Sequence, residues 1–272
     1  MEAKLQNRVQ RYGWDAAAKF YEEGWRDPLS PAQATLLEAA VLAPGEKIIE
    51  AACGSGLVTK AIARAVGKLG EVLATDLSQN MVDLTLANCA ADGLTWVATT
   101  RMSADDLAVT EGRFDAALCA LGLMYVPEPR RAIQSMRRAV RAGGRVVATV
   151  WGERRNCGWA EIFPIVDARV QSEVCPLFFG CGAQGALVDD FTQAGLRDIT
   201  ERRQKEVLEF ADDGALLTAM LRGGPVALAV KRFTPEILAE VEREFLQSVR
   251  NHRKPDGRYL IPGEFVTVSG RR

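Results

Sequence analysis

Lys47-Ile48-Ile49-Glu50-Ala51-Ala52-Cys53-Gly54-Ser55-Gly56 is the stretch whose reading decides the fold. Ile48 and Ile49 belong to a short buried strand. It runs into an acidic residue, Glu50, and then a glycine loop, Gly54-Ser55-Gly56. A helix follows at once, Leu57 to Val66. A strand feeding a glycine turn at a helix N-terminus is how open α/β sheets build a site for a nucleotide-like ligand. Glycine tolerates positive φ and lets a ligand approach bare amides.

Downstream, Gly67 and Gly70 mark a turn, and Glu71 to Thr75 reads as a second strand ending in Asp76. Asp76 lies 20 residues after Gly56. A carboxylate at that strand tip accepts both hydrogen bonds of a ribose diol. Asn80 to Ala91 reads as a helix closed by Gly93, and Leu94 to Ala98 as a third strand before a polar loop, Ser103 to Asp106. Phe114 to Leu121 is a continuous apolar run, as in a central parallel strand buried on both faces. A helix over Arg130 to Val140 turns Ile133, Met136 and Val140 inward. Its basic end (Arg137, Arg138, Arg141) suits a helix C-terminus. Gly143-Gly144 ends it, and Arg145 to Trp151 is the fifth strand. This succession of β-α units means a parallel, doubly wound sheet.

Upstream, Trp14, Ala17, Ala18, Tyr21 and Trp25 share one helical face. That face either packs on the body or forms a lid over a ligand, and the two readings are compatible. Ser30-Pro31 reads as N-cap and first residue of a helix to about Val41, with Leu36, Leu37, Ala40 and Val41 inward. Beyond Trp151 the pattern is irregular, with helical potential near Trp159 to Val170 and a short helix from Val188 to Gly195. Ile199 to Phe210 alternates like a strand. Helices over Asp213 to Leu221 and Pro235 to Asn251 follow, the second capped by Thr234. Its apolar stripe is Ile237, Leu238, Val241, Phe245, Leu246 and Val249. Glu264 to Ser269 is a last strand.

Composition bounds the function. The 272 residues carry 48% hydrophobic and 25% charged residues, ordinary for a globular protein. A net charge of -1 without a basic run gives no nucleic-acid footprint. The chain shows no apolar run of membrane-spanning length and no secretory signal. The six cysteines have no disulfide-framework spacing, so a reduced, cytoplasmic protein is expected.

The glycine loop admits three cofactor readings. A phosphate-binding P-loop needs Gly-Lys-Ser/Thr, and Lys60 is out of frame. A dinucleotide fingerprint needs a third glycine where Thr59 stands. Glu50 would repel a pyrophosphate but suits a ligand with an ammonium group. In the third reading, Glu50 to about Trp151 resembles a class I S-adenosylmethionine-dependent methyltransferase of the broad small-molecule (type 11-like) group. The family's first motif, acid-x-Gly-x-Gly-x-Gly, reads Glu50-Ala51-Ala52-Cys53-Gly54-Ser55-Gly56 here. Its second signature is Asp76-Leu77-Ser78-Gln79-Asn80-Met81, and its late one is Gly143-Gly144.

The resemblance implies a Rossmann-like α/β fold. Its doubly wound, mostly parallel sheet has seven strands, the C-terminal one antiparallel, with added cap helices. Residues 1–44 would be a helical cap, 45–151 the cofactor-binding core, and 152–272 the acceptor-pocket segment and sheet-edge strands of the same domain. It implies S-adenosylmethionine as cofactor, with Glu50, Gly54 and Gly56 at the methionine end and Asp76 at the ribose. Leu77 and Met81 pack on the adenine, and Ser103, Ala104 or Asp105 reads its edge. Ala120 lines the floor near the sulfonium. Two departures stand out. Ala52 replaces the usual first glycine, which leaves binding intact if its φ is negative. The usual adenine-binding Asp position holds Ser103, with Asp105 two residues on.

Methyl transfer from a sulfonium is an in-line displacement with a neutral leaving group. Positioning therefore supplies much of the catalysis, roughly 7–11 kcal/mol for well-oriented reactants. A base is needed only if the acceptor must lose a proton. Tyr21 and Tyr125 are the candidates; His252, the single histidine, reads as a surface residue. Cys157, Cys175 and Cys181 suggest a soft acceptor such as trivalent arsenic, but their spacing matches no metal motif and buried thiols are common. No resident metal is expected, and the expected partner is a small-molecule acceptor, with no nucleic acid or membrane. The alternatives are a non-catalytic S-adenosylmethionine or nucleotide-like binder and an NAD-dependent oxidoreductase.

Overall fold

The computed structural model describes residues 3–170 and 178–272. The chain opens with α1 (Ala3–Trp25) and α2 (Ser30–Ala40). A core of alternating units follows: β1 (Lys47–Ala51), α3 (Leu57–Val66), β2 (Glu71–Asp76), α4 (Gln79–Ala91), β3 (Val97–Arg101), β4 (Phe114–Ala120), α5 (Pro129–Ala139) and β5 (Val140–Trp151). Short α6 (Ile162–Asp167) and α7 (Ala186–Gln193) lead to β6 (Arg197–Phe210). Then come α8 (Asp213–Leu217), a π turn over Thr218–Arg222, α9 (Ala227–Val230), α10 (Pro235–Ser248) and β7 (Tyr259–Arg271).

The seven strands form one sheet in the order β3-β2-β1-β4-β5-β7-β6. The first five are parallel; β7 runs antiparallel between β5 and β6. Apolar sequence explains the centre: Ile48, Ile49 and Ala116 to Cys119 are fully buried between helical layers on both faces. The edge strand β6 instead alternates charged, exposed positions with covered ones, which discourages pairing with another chain. β1 lies between β2 and β4, so the strand order reverses there. A crevice opens at the carboxyl ends of the strands at such a switch point.

Several boundaries differ from the sequence reading, each for a local reason. β3 begins at Val97, not Leu94. Gly93 takes φ +70°, its N–H donates to Ala90 O, and the Leu94 N–H donates to Cys89 O. This Schellman closure of α4 holds Leu94 on the helix end. Val41, expected inward, is 75% exposed because the chain leaves α2 there in left-handed backbone. β5 starts at Val140, with a register shift against β4 between Val140 and Arg145, across the glycine pair. The helix expected over Asp213 to Leu221 breaks into α8 and the π turn. The Gly223 N–H donates to Thr218 O, which frees the Ala219 carbonyl to accept from Trp25 Nε1 at 3.0 Å. A methyl on Gly24 would sit 2.6 Å from Ala219 Cα, so α1 docks there through a bare glycine. Cys175 lies outside the described residues.

Candidate functional site

Two strand ends shape the crevice with strained backbone. Ala52, after β1, has φ +57°, and Leu121, after β4, also has φ +57°. The condition of a negative φ at Ala52 is therefore not met. The left-handed turn aims the Cys53 N–H back at Thr75 O of β2 (2.9 Å) and starts the loop. For an L-residue this conformation costs about 1–2 kcal/mol. Non-glycine residues held there cluster at functional sites. Ala52 also explains a glycine that no motif marks: a methyl on Gly122 would lie 2.4 Å from Ala52 Cβ.

Glu50 and Asp76 end neighbouring strands and are both buried. The Thr59 hydroxyl donates to Glu50 Oε2 at 2.5 Å, so the residue replacing a dinucleotide glycine fixes the acid. Burial, with some repulsion from Asp76, pushes the Glu50 carboxyl up to about 8 despite the Thr59 hydrogen bond. Asp76 accepts from the Gly54 N–H (3.0 Å) and the Ser78 N–H (2.8 Å). Burial still raises it to about 6 against these bonds. Its two oxygens retain lone pairs for a ligand. The Ser55 hydroxyl is buried without a hydrogen-bond partner among the described residues. Gly56, at φ +89°, ends the loop and begins α3, with Thr85 packed against it.

A cavity of about 660 Å³ lies over these strand ends, lined by Ala52, Gly54, Asp76, Leu77, Met81, Ser103, Ala104 and Ala120. An adjoining one of about 300 Å³ is lined by Glu50, Gly54, Ser55 and, from α2, Gln33. The sequence-predicted residues therefore converge, with two exceptions. Gly56 lines neither cavity. Asp105 is also outside the lining; its carboxylate accepts from Ser103 Oγ (2.5 Å) and Asn7 Nδ2 (3.3 Å).

α1 covers the crevice. Beyond Asn7, its Asp15 carboxylate accepts from Ser78 Oγ (2.5 Å), its Asp15 carbonyl accepts from Asn80 Nδ2 (2.9 Å), and Glu22 accepts from Asn88 Nδ2 (2.8 Å). Tyr21 reaches Gly54 and lines both cavities. Burial, then Asp76, Glu50 and Glu22, push its phenol above the usual tyrosine range. Such a group donates hydrogen bonds and is unsuited to act as a base. Tyr125 lines the larger cavity beside Trp14, the ring centroids 4.9 Å apart.

Sequence reasoning missed Asn7, Gln10, Gln33, Met102 and Leu121 as lining residues. The one available signal was the amphipathic face of α1. Elsewhere, His252 packs near Gly158 and lines none of these cavities. Cys157 and Cys181 are buried, and burial pushes the Cys157 thiol up to about 12, an inert state at neutral pH. Among the described residues no cluster of three His, Cys, Asp or Glu side chains is placed to hold a metal. No helix among them is long and apolar enough to cross a membrane.

Comparison with known proteins agrees with this geometry. Residues 48–144 match the family model of a methyltransferase domain. Demethylmenaquinone methyltransferase of Bacillus cytotoxicus is 32% identical over 120 residues, 44% of this chain and 51% of that protein. Ubiquinone biosynthesis O-methyltransferase of Methylococcus capsulatus is 30% identical over 132 residues, 45% of this chain and 54% of that protein. The chain thus spans about half the length of the curated relatives it matches. Haemonchus contortus phosphoethanolamine N-methyltransferase 2, solved with phosphomonomethylethanolamine and S-adenosylhomocysteine, superimposes with a TM-score of 0.62 at 14% identity. The match covers 99% of this chain and 60% of that one, a likeness of fold.

Proposed function

We propose that this chain, whose core is a class I S-adenosylmethionine-dependent methyltransferase domain, transfers a methyl group to a small organic acceptor by in-line displacement. S-adenosylmethionine, when bound, supplies a methyl already activated on a sulfonium. The residues present fit that group. Glu50 and the unpartnered Ser55 hydroxyl offer an acceptor and a donor to the amino-acid end, with Gln33 beside them. Asp76 holds the ribose diol; Leu77 and Met81 pack on the adenine, and Ser103 and Ala104 meet its edge.

The observation that carries this reading is the pair of buried carboxylates on adjacent strand ends, with the glycine loop between them. A pyrophosphate would find two carboxyls there in place of a cation and would keep Glu50 un-ionised, whereas an ammonium favours ionised Glu50 and a diol is met by Asp76. Ala120, Leu121 and Tyr21 enclose the reaction space and exclude water. Tyr21 remains protonated and positions the ligand by donating. Residues 1–44 serve as a cap, 45–151 hold the cofactor, and 152–272 complete the acceptor side. The near-neutral charge and the modest size of the crevice support a small molecule as acceptor, rather than nucleic acid.

Methyl-labelled S-adenosylmethionine, incubated with the protein and a broad panel of small acceptors, tests the reading. Label should pass to at least one acceptor. Tight cofactor binding with no labelled product across the panel would instead identify a non-catalytic binder.

A further inference from the structure

Three cavities meet over the strand ends. The one of about 660 Å³ holds Asp76 in its wall, and the one of about 300 Å³ holds Glu50 and Ser55. Beside them lies a chamber of about 330 Å³ walled by rings, among them Trp25, Trp151 and Trp159. Among the described residues, Tyr21 and Leu121 alone line all three. Leu121 enters from the left-handed turn after β4. Tyr21 enters from α1, its ring edge to face with Trp14 at 5.9 Å between centroids. The side chain is half-buried, and its hydroxyl is not one of the polar atoms sealed from free space. That hydroxyl makes no hydrogen bond to a described residue. The charges that act on it most are Asp76, in the wall of the first cavity, and Glu50, in the wall of the second. The oxygen is therefore open, and it sits where the two cofactor cavities join.

We infer that Tyr21 tells the charged methyl donor from its neutral product: its hydroxyl oxygen faces the sulfonium and contacts the methyl, which points toward the ring-walled chamber. The inference rests on the methyltransferase reading for the identity of the ligand. In S-adenosylmethionine the sulfur joins the amino-acid chain to the ribose. A ligand with its ammonium at Glu50 and its diol at Asp76 thus carries its sulfur past the junction. The neutral phenol keeps oxygen lone pairs beside the proton it donates. C–H groups make weak hydrogen bonds to oxygen, and positive charge on the donor side strengthens them. On transfer the C–S bonding pair stays on sulfur while a lone pair of the acceptor forms the new bond. The charge leaves the sulfur, and this contact is lost with it. Tyr21 thereby favours exchange of the spent cofactor for a fresh one.

The test is calorimetry on the full chain with three ligands: S-adenosylmethionine, S-adenosylhomocysteine and sinefungin, which carries a carbon-borne ammonium in place of the methylated sulfonium. Tyr21→Phe keeps the ring, and with it any cation–π attraction, and removes the oxygen alone. It should weaken S-adenosylmethionine and sinefungin about five-fold. S-adenosylhomocysteine binding should stay unchanged, which also reports intact folding. Equal weakening of all three ligands would overturn the inference, because a phenol that merely packs or holds the amino-acid end does not sense the charge at sulfur. Unchanged affinity for S-adenosylmethionine would overturn it as well. Failure of the unaltered protein to bind any of the three would instead sink the cofactor reading, a distinct result that removes this inference with it.

Discussion

The ends of β1 and β2 and the aromatic chamber beside β4 and β5 are built on opposite principles. The strand ends use small residues, bare amides and two buried carboxylates; the chamber of about 330 Å³ beside them uses large rings. The first site takes its two carboxylates and its glycine loop from residues 50–76, close together in sequence, and its cover from α1, Gln33 and the end of β4. The second draws Trp14, Trp25, Tyr125, Trp151, Trp159 and Phe178 from five different parts of the chain. The difference teaches that a cofactor cradle can be a local device of one β-α-β unit. The aromatic chamber is a product of how cap and edge segments fall together on it. Tyr21 belongs to both, since α1 closes the cradle and roofs the chamber in one element.

That contrast can be broken experimentally. The largest expected effect is at Asp76. Asp76→Ala removes charge-assisted hydrogen bonds of about 1.5–3 kcal/mol, so affinity for S-adenosylhomocysteine should fall roughly ten- to hundred-fold by calorimetry. Unaltered cofactor affinity would show that the ribose lies elsewhere.

A smaller effect follows from protonation. Glu50, held near 8, is mostly protonated at pH 7 and must ionise to pair with an ammonium. Cofactor binding should therefore release a proton, and affinity should rise toward ten-fold per pH unit up to about pH 8, then level off. Calorimetric enthalpies in buffers of different ionisation heat measure the release, and Glu50→Gln should abolish it. In the free protein both carboxyls are raised above their unfolded values. Their contribution to stability is complete below the ordinary carboxylate range and is lost as pH rises through about 6 and about 8. The melting temperature of the free protein should fall over that window.

The smallest effect tests the strained strand ends. Gly122→Ala forces a methyl against Ala52 and Cys119 Sγ and should cost about 1–3 kcal/mol in chemical denaturation. Ala52→Gly should recover part of that loss, because it removes one of the two clashes and the left-handed strain at once. Independent, additive effects would show that the two residues do not share the space.

The legible half of the molecule is the half with short-range rules. Buried parallel strands announce themselves by unbroken apolar runs, and Glu50, Gly54 and Asp76 by their spacing from a strand end. Where a tertiary contact decides, the sequence was silent. The Ala219 carbonyl accepts a hydrogen bond from Trp25 Nε1 across 194 residues, and that contact splits a helix which the local pattern reads as continuous. The φ of Ala52 is set by a hydrogen bond to the neighbouring strand, not by its own preference. Thr59 read as a missing glycine, and only the folded chain puts its hydroxyl on Glu50. The indole of Trp159 carried no sequence signal beyond its bulk.

The central claim is that the Glu50–Asp76 cradle takes an amino-acid-bearing adenosyl ligand and refuses a pyrophosphate. Titration of the full chain with S-adenosylhomocysteine and, separately, with NAD tests it most directly. Saturable, one-to-one binding of S-adenosylhomocysteine with proton release is expected, with no measurable binding of NAD. Tight binding of NAD with none of S-adenosylhomocysteine would contradict it.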